Sequence, residues 1–363
     1  MTAYQSLYGV KMVGIGSFVP PTVLTNEDMS KLVETSDEWI ASRTGIRERR
    51  VVSGDESVAS MAIAAAKDAL ASAGLEDGRD IDLILVATST SDTIYPAVAC
   101  QVQHAIGATK AAGYDMALAC SGFVFGCVTA EQFLRTGMVK KALVIGSDIH
   151  TRVVDWSDRN TCVLFGDGAG AAILEATTDG SNAFLASTLQ TDGTKGHELT
   201  LNTSWPNCPL VQPRSEQSPY VYMNGREIFK FVVNVVPTTI QASVAKAGLT
   251  LNEIDYLVLH QANTRLMTAM AERMGIDEAK LITHLEGIGN TSAASVPIAL
   301  NHAVRTGVVR PGQKLVLCGF GAGLAWGSTV VEWTLVDQRE PWPSTAQKSA
   351  AYLRENGVAL TSV

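Results

Sequence analysis

The sequence is poor in charged and aromatic side chains, and it lacks long apolar runs. Of its 363 residues only 18% are charged and 6% are aromatic, whereas 46% are hydrophobic. No stretch reaches the roughly 18 consecutive apolar residues that a membrane-spanning helix needs, so we expect no insertion into a membrane. The formal net charge is −8, and an acidic surface has no general affinity for nucleic acid or for anionic lipid.

Cysteine patterns that indicate metal sites or disulfide frameworks are also absent. The six cysteines form no Cys-X-X-Cys pair and no spacing typical of a zinc site, and we therefore predict no bound metal. Several of them lie in apolar runs, which favours a reducing compartment, either the cytoplasm or the stroma of a plastid. The N-terminus shows no basic segment followed by an apolar signal stretch.

Glycine is abundant instead, with 31 residues. Together with the high hydrophobic content and the few aromatic residues, this composition favours a tightly packed α/β enzyme over a β-sandwich. The length suits one large domain or two ordinary ones.

Two stretches of the chain resemble two others at a constant offset. Ile81–Ala87 and Ile254–His260 both begin with Ile-Asp and continue as an apolar strand. Lys141–Gly146 and Lys314–Gly319 are a second pair of apolar strands, and the distance along the chain from Lys141 to Lys314 equals that from Ile81 to Ile254. Two matches at one offset indicate a duplicated array of β-strands and α-helices, with a period far too long for a solenoid.

The duplication divides the chain into four segments. We predict an N-terminal half over 1–180, a connecting loop region over 181–222, a C-terminal half over 223–336 and a peripheral tail over 337–363. The two halves are expected to pack against each other as a pseudo-dimer of the α/β class. The part of the connection from 193 onward is rich in Gly, Asn, Pro and Ser, and either covers an active site or is an inert surface loop.

Cys120 ends an apolar stretch and is followed at once by small residues with a helical pattern, in the segment Asp115–Gly126. This pattern predicts a buried strand, a tight turn and the first turn of a helix. The positive end of the helix dipole favours a thiolate at such a position, which indicates a nucleophile. A plain buried cysteine is the alternative interpretation of this segment alone.

His260 follows an apolar strand and precedes the polar residues Gln261 and Asn263. Polar groups at that depth need partners or a ligand, although a lone histidine there is commonly a satisfied core residue. At the repeat offset, His260 corresponds to Ala87 of the first half. The two halves have therefore diverged where polar residues follow a strand.

Asn290 lies in the glycine-rich segment Gly287–Ser295. Such a segment lets the backbone and the side-chain amide of Asn290 reach a ligand. It is equally typical of a simple turn with a helix cap. Ligands of α/β folds bind beyond the carboxyl ends of strands. We therefore expect Cys120, His260 and Asn290 at the edge of a shared cleft. A thiol, an imidazole and a carboxamide suit acyl transfer through a thioester and decarboxylation to a hydrogen-bonded enolate, whereas nothing specifically marks a cysteine protease.

Seven motifs across residues 10–335 resemble the β-ketoacyl-acyl carrier protein synthase III family, the initiating condensing enzymes of fatty acid synthesis. They are Thr35–Ile40, Arg43–Arg49, Ala119–Phe123, Phe165–Gly170, His260–Asn263, Gly289–Ser295 and Gly319–Gly323. The resemblance implies a thiolase-like fold of five layers, in agreement with the duplication, and a homodimer. It also implies that the enzyme needs no cofactor, because coenzyme A arrives as part of a substrate.

The resemblance assigns roles to residues by position. Cys120 is implied as the acylated nucleophile, and His260 and Asn290 as the pair that promotes decarboxylation. The implied contacts to coenzyme A are Thr35, Trp39, Arg43, Arg159, Gly225, Phe229 and Asn263. The implied acyl-pocket residues are Tyr95, Leu164 and Phe165, with Tyr95 reaching across the dimer. The implied contacts to the carrier protein are Gln261, Ala262, Asn263, Thr264 and Arg265.

The implied reaction condenses an acyl-coenzyme A primer, acetyl-coenzyme A by preference, with malonyl-acyl carrier protein. The alternatives are an acyltransferase of the same fold that acylates an oxygen or a nitrogen of a small molecule, and an enzyme that primes a polyketide pathway. A non-catalytic subunit of this fold would have lost Cys120. A degradative thiolase would use a second cysteine, for which Cys318 is the nearest candidate, although it matches poorly.

Overall fold

The computed structural model describes residues 7–203, 208, 210 and 218–339. The strands are β1 (Gly9–Phe18), β2 (Thr22–Thr25), β3 (Glu48–Val51), β4 (Leu83–Ala87), β5 (Ala112–Met116), β6 (Lys141–Ile149), β7 (Asp167–Thr177), β8 (Phe184–Thr191), β9 (Leu199–Thr200), β10 (Tyr222–Met223), β11 (Tyr256–Leu259), β12 (Lys314–Gly321) and β13 (Ala325–Glu332). The helices are α1 (Asn26–Ser30), α2 (Asp37–Thr44), α3 (Val58–Ser72), α4 (Val98–Ala105), α5 (Gly122–Arg135), α6 (Gly225–Lys246), α7 (Thr264–Met274) and α8 (Ser295–Arg305).

Two large sheets carry the same topology. The first has the strand order β1-β7-β6-β4-β5, and the second, read from its other edge, has the order β8-β13-β12-β11. In the first sheet β4 and β6 are parallel, and β7 and then β1 continue the sheet beyond β6 as antiparallel strands. In the second sheet β11 and β12 are parallel, and β13 and then β8 continue the sheet beyond β12 as antiparallel strands. A parallel bridge between Leu257 and Leu281 occupies the place that β5 has in the first sheet. The duplication predicted from the sequence is confirmed.

The helices complete five layers. Helices α3 and α4 cover the outer face of the first sheet, α5 and α8 lie between the two sheets, and α6 and α7 cover the outer face of the second sheet. Strands covered by helices on both faces are expected to be apolar throughout, and β4 is accordingly buried at every residue. The predicted α/β pseudo-dimer is therefore the observed architecture.

Helix α6 is the one helix among the described residues that is long and apolar enough to cross a membrane by length and composition. Its apolar residues pack into the core of the second half, where Phe231, Val236 and Ile240 are buried. Packing of one helix face against a sheet explains this composition.

The segment 181–222 is not wholly a connecting loop, and this part of the predicted division is wrong. Residues Phe184–Thr191 form β8, which pairs antiparallel with β13 at the edge of the second sheet. Phe184 is fully buried in the central core, so the second half already begins in this segment. Farther along, β9 pairs with β10, and most of 204–217 lies outside the described residues.

The first residues of the C-terminal tail pack against the N-terminal half. The Gln338 amide donates a hydrogen bond to the Ser72 carbonyl, and Arg339 forms ion pairs with Asp68 and Asp337. Arg339 also donates to the Asn301 side chain in α8. The rest of the predicted tail, 340–363, lies outside the described residues.

Candidate active site

Two turns with the same unusual backbone conformation face each other between the sheets. Ala119 has φ 43° and Ser292 has φ 53°, and they are the only non-glycine residues with positive φ in the described part of the chain. The repeat offset relates one to the other, and each lies in a single 3₁₀ turn that leads into a central helix, α5 or α8. Such strained positions cluster at functional sites.

Cys120 lies in the first of these turns and contacts the second. Its Sγ is 3.4 Å from the Ser292 hydroxyl, and the residue is 8% exposed. Gly321 at the end of β12 closes the other side, because a Cβ atom there would lie 3.0 Å from the Cys120 Cβ and 3.4 Å from its Sγ. Only glycine at that position leaves the thiol accessible beside the strand.

Burial raises the pKa of the Cys120 thiol to about 12, because an anion is poorly solvated there, while the hydrogen bond with Ser292 lowers it in part. Helix α5 begins at Gly122 without a side-chain cap, so its first amides still favour negative charge at this turn. In the resting protein burial outweighs that contribution.

His260 is held rigidly at the end of β11. Its amide donates a hydrogen bond to the Cys318 carbonyl over 2.7 Å, and its ring packs edge-on against Phe320 at a centroid distance of 5.1 Å. Burial, with a smaller contribution from the nearby His150, lowers the pKa of His260 to about 3. The imidazole is consequently neutral at physiological pH.

Ser295 determines which nitrogen of His260 carries the proton. Its hydroxyl lies 2.6 Å from Nδ1 of His260 and accepts a hydrogen bond from the Gln261 amide over 3.3 Å. Among the described residues, Nδ1 is the only acceptor within reach of that hydroxyl hydrogen. The serine therefore donates to Nδ1, and the ring proton resides on Nε2.

Asn290 is fixed by its backbone and by its side-chain oxygen. Its backbone amide donates a hydrogen bond to the Leu164 carbonyl, and its backbone carbonyl accepts one from the Gly166 amide. Its side-chain Oδ1 accepts a hydrogen bond from the Ser292 amide over 2.9 Å. Because Oδ1 is occupied in this way, the side-chain nitrogen Nδ2 of Asn290 is left to donate. The site thus offers two neutral donors, the second being Nε2 of His260, and such donors stabilise a developing oxyanion.

Asp148 joins the two halves behind the site, and sequence reasoning missed it together with Ser292 and Ser295. The fully buried carboxylate accepts hydrogen bonds from the Ser89 amide and the Thr90 hydroxyl, at 2.8 and 2.9 Å, and from the Ala293 amide at 3.4 Å. A buried acid that follows an apolar strand was the available signal, since such a group requires partners.

One cavity of about 110 Å³ unites the three catalytic candidates. Its walls also contain six of the predicted binding residues, namely Leu164, Phe165, Gly225, Phe229, Ala262 and Asn263. Cys120 and Asn290 are almost completely buried, whereas Phe229 is 42% exposed. The cavity therefore leads from the surface to the thiol.

Trp39, Arg43 and Arg159 form a separate cluster. The guanidinium carbons of Arg43 and Arg159 lie 4.6 and 5.0 Å from the centre of the Trp39 indole. A base stacked between the indole and a guanidinium needs a separation of about 7 Å, twice an ordinary contact, so Arg159 must move outward to admit one. The Thr35 hydroxyl beside this cluster is buried and has no partner among the described residues.

Gln261 does not face a partner protein, and this predicted contact is wrong. The residue is 2% exposed, and its side chain donates to the carbonyls of Leu259 and Ile282 and accepts from the His284 amide. These bonds connect β11 to the loop before Asn290. Of the other four predicted contacts, Ala262 and Asn263 line the cavity, while Thr264 and Arg265 are exposed in the first turn of α7.

Tyr95 and Cys318 lie outside the cavity of their own chain. Tyr95 is 87% exposed on the loop before α4. Cys318 is fully buried within β12 and does not line the cavity. A second reactive cysteine, as a degradative thiolase requires, is therefore not available at this position.

Comparison with protein-family models matches two parts of the chain. The model described as 3-oxoacyl-[acyl-carrier-protein (ACP)] synthase III matches residues 114–193, and the model of the C-terminal part of that family matches residues 244–333. The first match includes Cys120, and the second includes His260 and Asn290.

Curated proteins and solved structures give matches along nearly the whole chain. The β-ketoacyl-[acyl-carrier-protein] synthase III of a Nostoc species is 48% identical over 328 residues, which cover 90% of this chain and 98% of that protein. A synthase III of Bacillus cereus is 46% identical, covering 89% and 99%. The crystal structure of the Pseudomonas aeruginosa synthase III is 35% identical with a TM-score of 0.83, covering 92% of this chain and 100% of that one.

Proposed function

The chain belongs to the 3-oxoacyl-[acyl-carrier-protein] synthase III family, and from this we propose that Cys120, His260 and Asn290 divide its reaction between them. The enzyme is an acyltransferase that initiates fatty acid synthesis by a decarboxylative condensation. The observation that carries the assignment of residues is the single cavity that contains all three. Because the relatives are bacterial proteins of this kind, we infer a cytoplasmic location.

In the first half of the reaction Cys120 takes the primer. Its sulfur attacks the carbonyl carbon of the acyl-coenzyme A thioester, the coenzyme A thiol leaves with a proton, and the acyl group remains on Sγ. Deep burial of Cys120 protects the acyl-enzyme from hydrolysis because it keeps water away from the thioester. No cofactor takes part, since coenzyme A is the leaving group of the substrate.

In the second half His260 and Asn290 act on the malonyl thioester. Nε2 of His260 and the Asn290 amide donate hydrogen bonds to its carbonyl oxygen, so that the enolate is stabilised as carbon dioxide leaves. The enolate carbon then attacks the acyl group on Cys120, and the thiolate departs and regains a proton. Both donors are neutral, which the low pKa of His260 ensures.

Product analysis tests this function. Incubation with malonyl-acyl carrier protein and a panel of acyl-coenzyme A primers should give β-ketoacyl-acyl carrier protein, free coenzyme A and one carbon dioxide per product, with acetyl-coenzyme A preferred among unsubstituted primers. Mass spectrometry of the carrier protein measures the products. Transfer of the acyl group to a small-molecule alcohol or amine, without release of carbon dioxide, would instead establish the alternative acyltransferase.

The coenzyme A thioester is proposed to enter between the Trp39 cluster and the mouth of the cavity. Trp39 and Arg159 offer a base an indole face and a planar cation, and Arg43 offers charge to phosphates. Thr35 supplies a buried hydroxyl that has no partner among the described residues. Gly225 and Asn263 lie farther in, on the cavity wall, where the extended arm of coenzyme A would pass.

We expect substitution of Arg265 by glutamate to weaken the use of malonyl-acyl carrier protein. Arg265 is exposed at the start of α7 beside the cavity residue Asn263, and carrier proteins are acidic, so its charge should steer their approach. We expect Arg265→Glu to raise the KM for malonyl-acyl carrier protein about tenfold at low salt, less at high salt, and to leave acylation by acetyl-coenzyme A unchanged.

The matched control for this variant is Arg310→Glu, which makes the same charge change at an exposed arginine that does not line the cavity. It should behave as the wild type in both assays. An equal loss with both substrates in Arg265→Glu would show that this residue shapes the cavity and does not contact the carrier protein.

A homodimer is proposed from the exposed edge of the first sheet. Strand β5 ends that sheet with Tyr114 40% exposed, and the loop before α4 exposes Ile94 and Tyr95 at 64% and 87%. Open edge strands with exposed apolar neighbours are normally covered. We expect sedimentation equilibrium to give twice the monomer mass, and Tyr114→Lys to reduce dimerisation. A fully active monomer would contradict the proposal that Tyr95 completes the partner's acyl pocket.

A further inference from the structure

One hydroxyl group touches the reacting sulfur and has no place in the reaction described above. Ser292 is fully buried, and its Oγ lies 3.4 Å from the Sγ of Cys120. It is the only side chain in the described part of the chain that forms a hydrogen bond with that sulfur. The contact places Ser292 within reach of any charge that forms on the nucleophile.

The Ser292 hydroxyl has an unused hydrogen in the resting enzyme. The neutral thiol of Cys120 donates its hydrogen to Oγ, and a serine hydroxyl can accept one hydrogen bond and donate another. Among the residues that the structure describes, none accepts the hydroxyl hydrogen. Once the thiol has lost its proton, the sulfur is an acceptor, and the hydroxyl can turn its hydrogen toward it. Because hydrogen bonds to ionised groups are the stronger ones, the contact stabilises the thiolate more than the thiol.

His260 does not supply this interaction. Its Nδ1 is engaged by Ser295, and within the described residues its ring forms no hydrogen bond with Cys120. With a pKa of about 3, the imidazole is also a weak base that takes a thiol proton poorly. Besides the first amides of α5, stabilisation of the thiolate therefore falls to another side chain.

The turn that carries Ser292 is fixed from several sides. The Ser292 amide donates a hydrogen bond to Oδ1 of Asn290 over 2.9 Å. The next amide, that of Ala293, donates to Asp148 over 3.4 Å. Strand β6 lies directly against this turn, because a Cβ atom at Gly146 would lie 2.3 Å from the Ala293 carbonyl oxygen. The hydroxyl is thus held beside the sulfur in advance, as a donor that stabilises developing charge must be.

The duplicated fold shows that such a turn does not require a hydroxyl group. The repeat offset relates Ser292 to Ala119, and the two residues have similar positive φ angles of 53° and 43°. Alanine therefore adopts this backbone conformation in the first half of the chain. The oxygen that Ser292 adds is explained by its contact with the sulfur and not by the requirements of the turn.

We propose that Ser292 is a further catalytic residue, whose hydroxyl donates a hydrogen bond to the sulfur of Cys120 whenever that sulfur carries negative charge. This inference rests on the proposed function of Cys120. The charge appears twice, when the sulfur attacks the primer and when it departs from the new β-ketoacyl product. Ser292 keeps its own proton in both steps, so the proton of Cys120 still leaves with the coenzyme A thiol and is regained after condensation. An interaction that is stronger in the charged state lowers the barrier to reaching it.

The test removes the hydroxyl and measures two reactions of the thiolate. Ser292→Ala should slow acylation by acetyl-coenzyme A about tenfold at each pH from about 6 to about 9, the usual cost of one hydrogen bond to a charged group. Alkylation of Cys120 by iodoacetamide should slow by the same factor, because it needs the thiolate but no contact with coenzyme A. The acetyl-coenzyme A concentration that gives half the maximal acylation rate should stay unchanged. Intact-mass spectrometry follows both reactions.

Ser292→Gly provides a second variant in case alanine disturbs the turn. Glycine adopts a positive φ without strain and also lacks the hydroxyl, so it should show the same loss in both reactions. In both variants the backbone amide at position 292, which holds Asn290, is retained. Decarboxylation of malonyl-acyl carrier protein without a primer, measured as release of carbon dioxide, should therefore stay near the wild-type rate.

The matched control is Ser243→Ala, which removes a fully buried serine hydroxyl that is bonded to Ser328 and does not line the cavity. It should leave acylation and alkylation unchanged. Wild-type rates of both reactions in Ser292→Ala and Ser292→Gly would overturn the role of Ser292, and so would slower acylation with unchanged alkylation. A wild type that acetyl-coenzyme A does not acylate would instead overturn the proposed function.

Discussion

Replacement of Cys120 by serine should reduce acylation by acetyl-coenzyme A, and with it condensation, by roughly 10³-fold or more. Serine keeps the size and the contact with Ser292 but replaces a thiol by an alcohol of far higher pKa, so the nucleophile is lost while the fold is kept. Wild-type protein incubated with acetyl-coenzyme A should gain one acetyl mass on the peptide that contains Cys120. Intact-mass measurement and peptide mapping give both results.

The control for this experiment is Cys100→Ser, the same exchange at an exposed cysteine, which should leave acylation unchanged. Acetylation of Cys127 or Cys162 in the wild type would refute the assignment of the nucleophile. Both of those thiols are buried, and neither lines the cavity that contains Cys120, which is why we do not expect them to react.

The raised pKa of Cys120 adds a dependence on pH. Burial disfavours the thiolate, and the thiolate is the species that attacks. Below the pKa the fraction of thiolate grows about tenfold with each pH unit. The rate of acylation should therefore rise continuously from about pH 6 to about pH 9, without the plateau that a thiol with an ordinary pKa of about 8.5 would begin to show.

The repeat explains why so much of this site could be predicted from the sequence. Strands buried on both faces appear in the sequence as continuous apolar runs, and one constant offset relates β4 to β11 and β6 to β12 from the order of residues alone. The same offset relates Ala119 to Ser292. The ends of these strands indicate that Cys120, His260 and Asn290 lie at a shared cleft, and the resemblance to the synthase III family supplies the roles proposed for them.

Strand β8 could not be predicted in this way because it lies at the edge of its sheet. Its register partner β13 is remote in sequence, and its burial pattern, with Phe184 buried and most other residues only partly so, gives no strong alternation. Pairing with a distant strand, rather than local propensity, determines its conformation.

The roles of Gln261 and Ser295 likewise depend on contacts between distant elements. A polar residue after a strand is compatible with a ligand contact or with a structural one, and only the carbonyls of Leu259 and Ile282 show that Gln261 is structural. Ser295 precedes a helical pattern in the sequence. Its hydrogen bond to His260 arises because the end of β11 and the start of α8 meet in three dimensions.

Loss of either hydrogen-bond donor should separate the two halves of the reaction. We expect His260→Ala and Asn290→Ala each to slow decarboxylation of malonyl-acyl carrier protein by roughly 10²–10³-fold, the usual cost of removing one oxyanion donor. Acylation of Cys120 should stay within about tenfold of the wild type, because neither residue is needed to hold the primer. Release of carbon dioxide and intact protein mass measure the two steps independently.

Ser295→Ala provides the graded case that tests the mechanism most closely. Without that hydroxyl nothing holds the ring proton of His260 on Nε2, so decarboxylation should fall by about tenfold, less than in His260→Ala, and Ser295→Thr should recover part of the rate.

Because burial lowers the pKa of His260 to about 3, the ring stays neutral above that pH, and wild-type decarboxylation should show no inflection near pH 6.5, the ordinary value for histidine. An inflection there, or normal decarboxylation in both His260→Ala and Asn290→Ala, would mean that the enolate is stabilised by other groups.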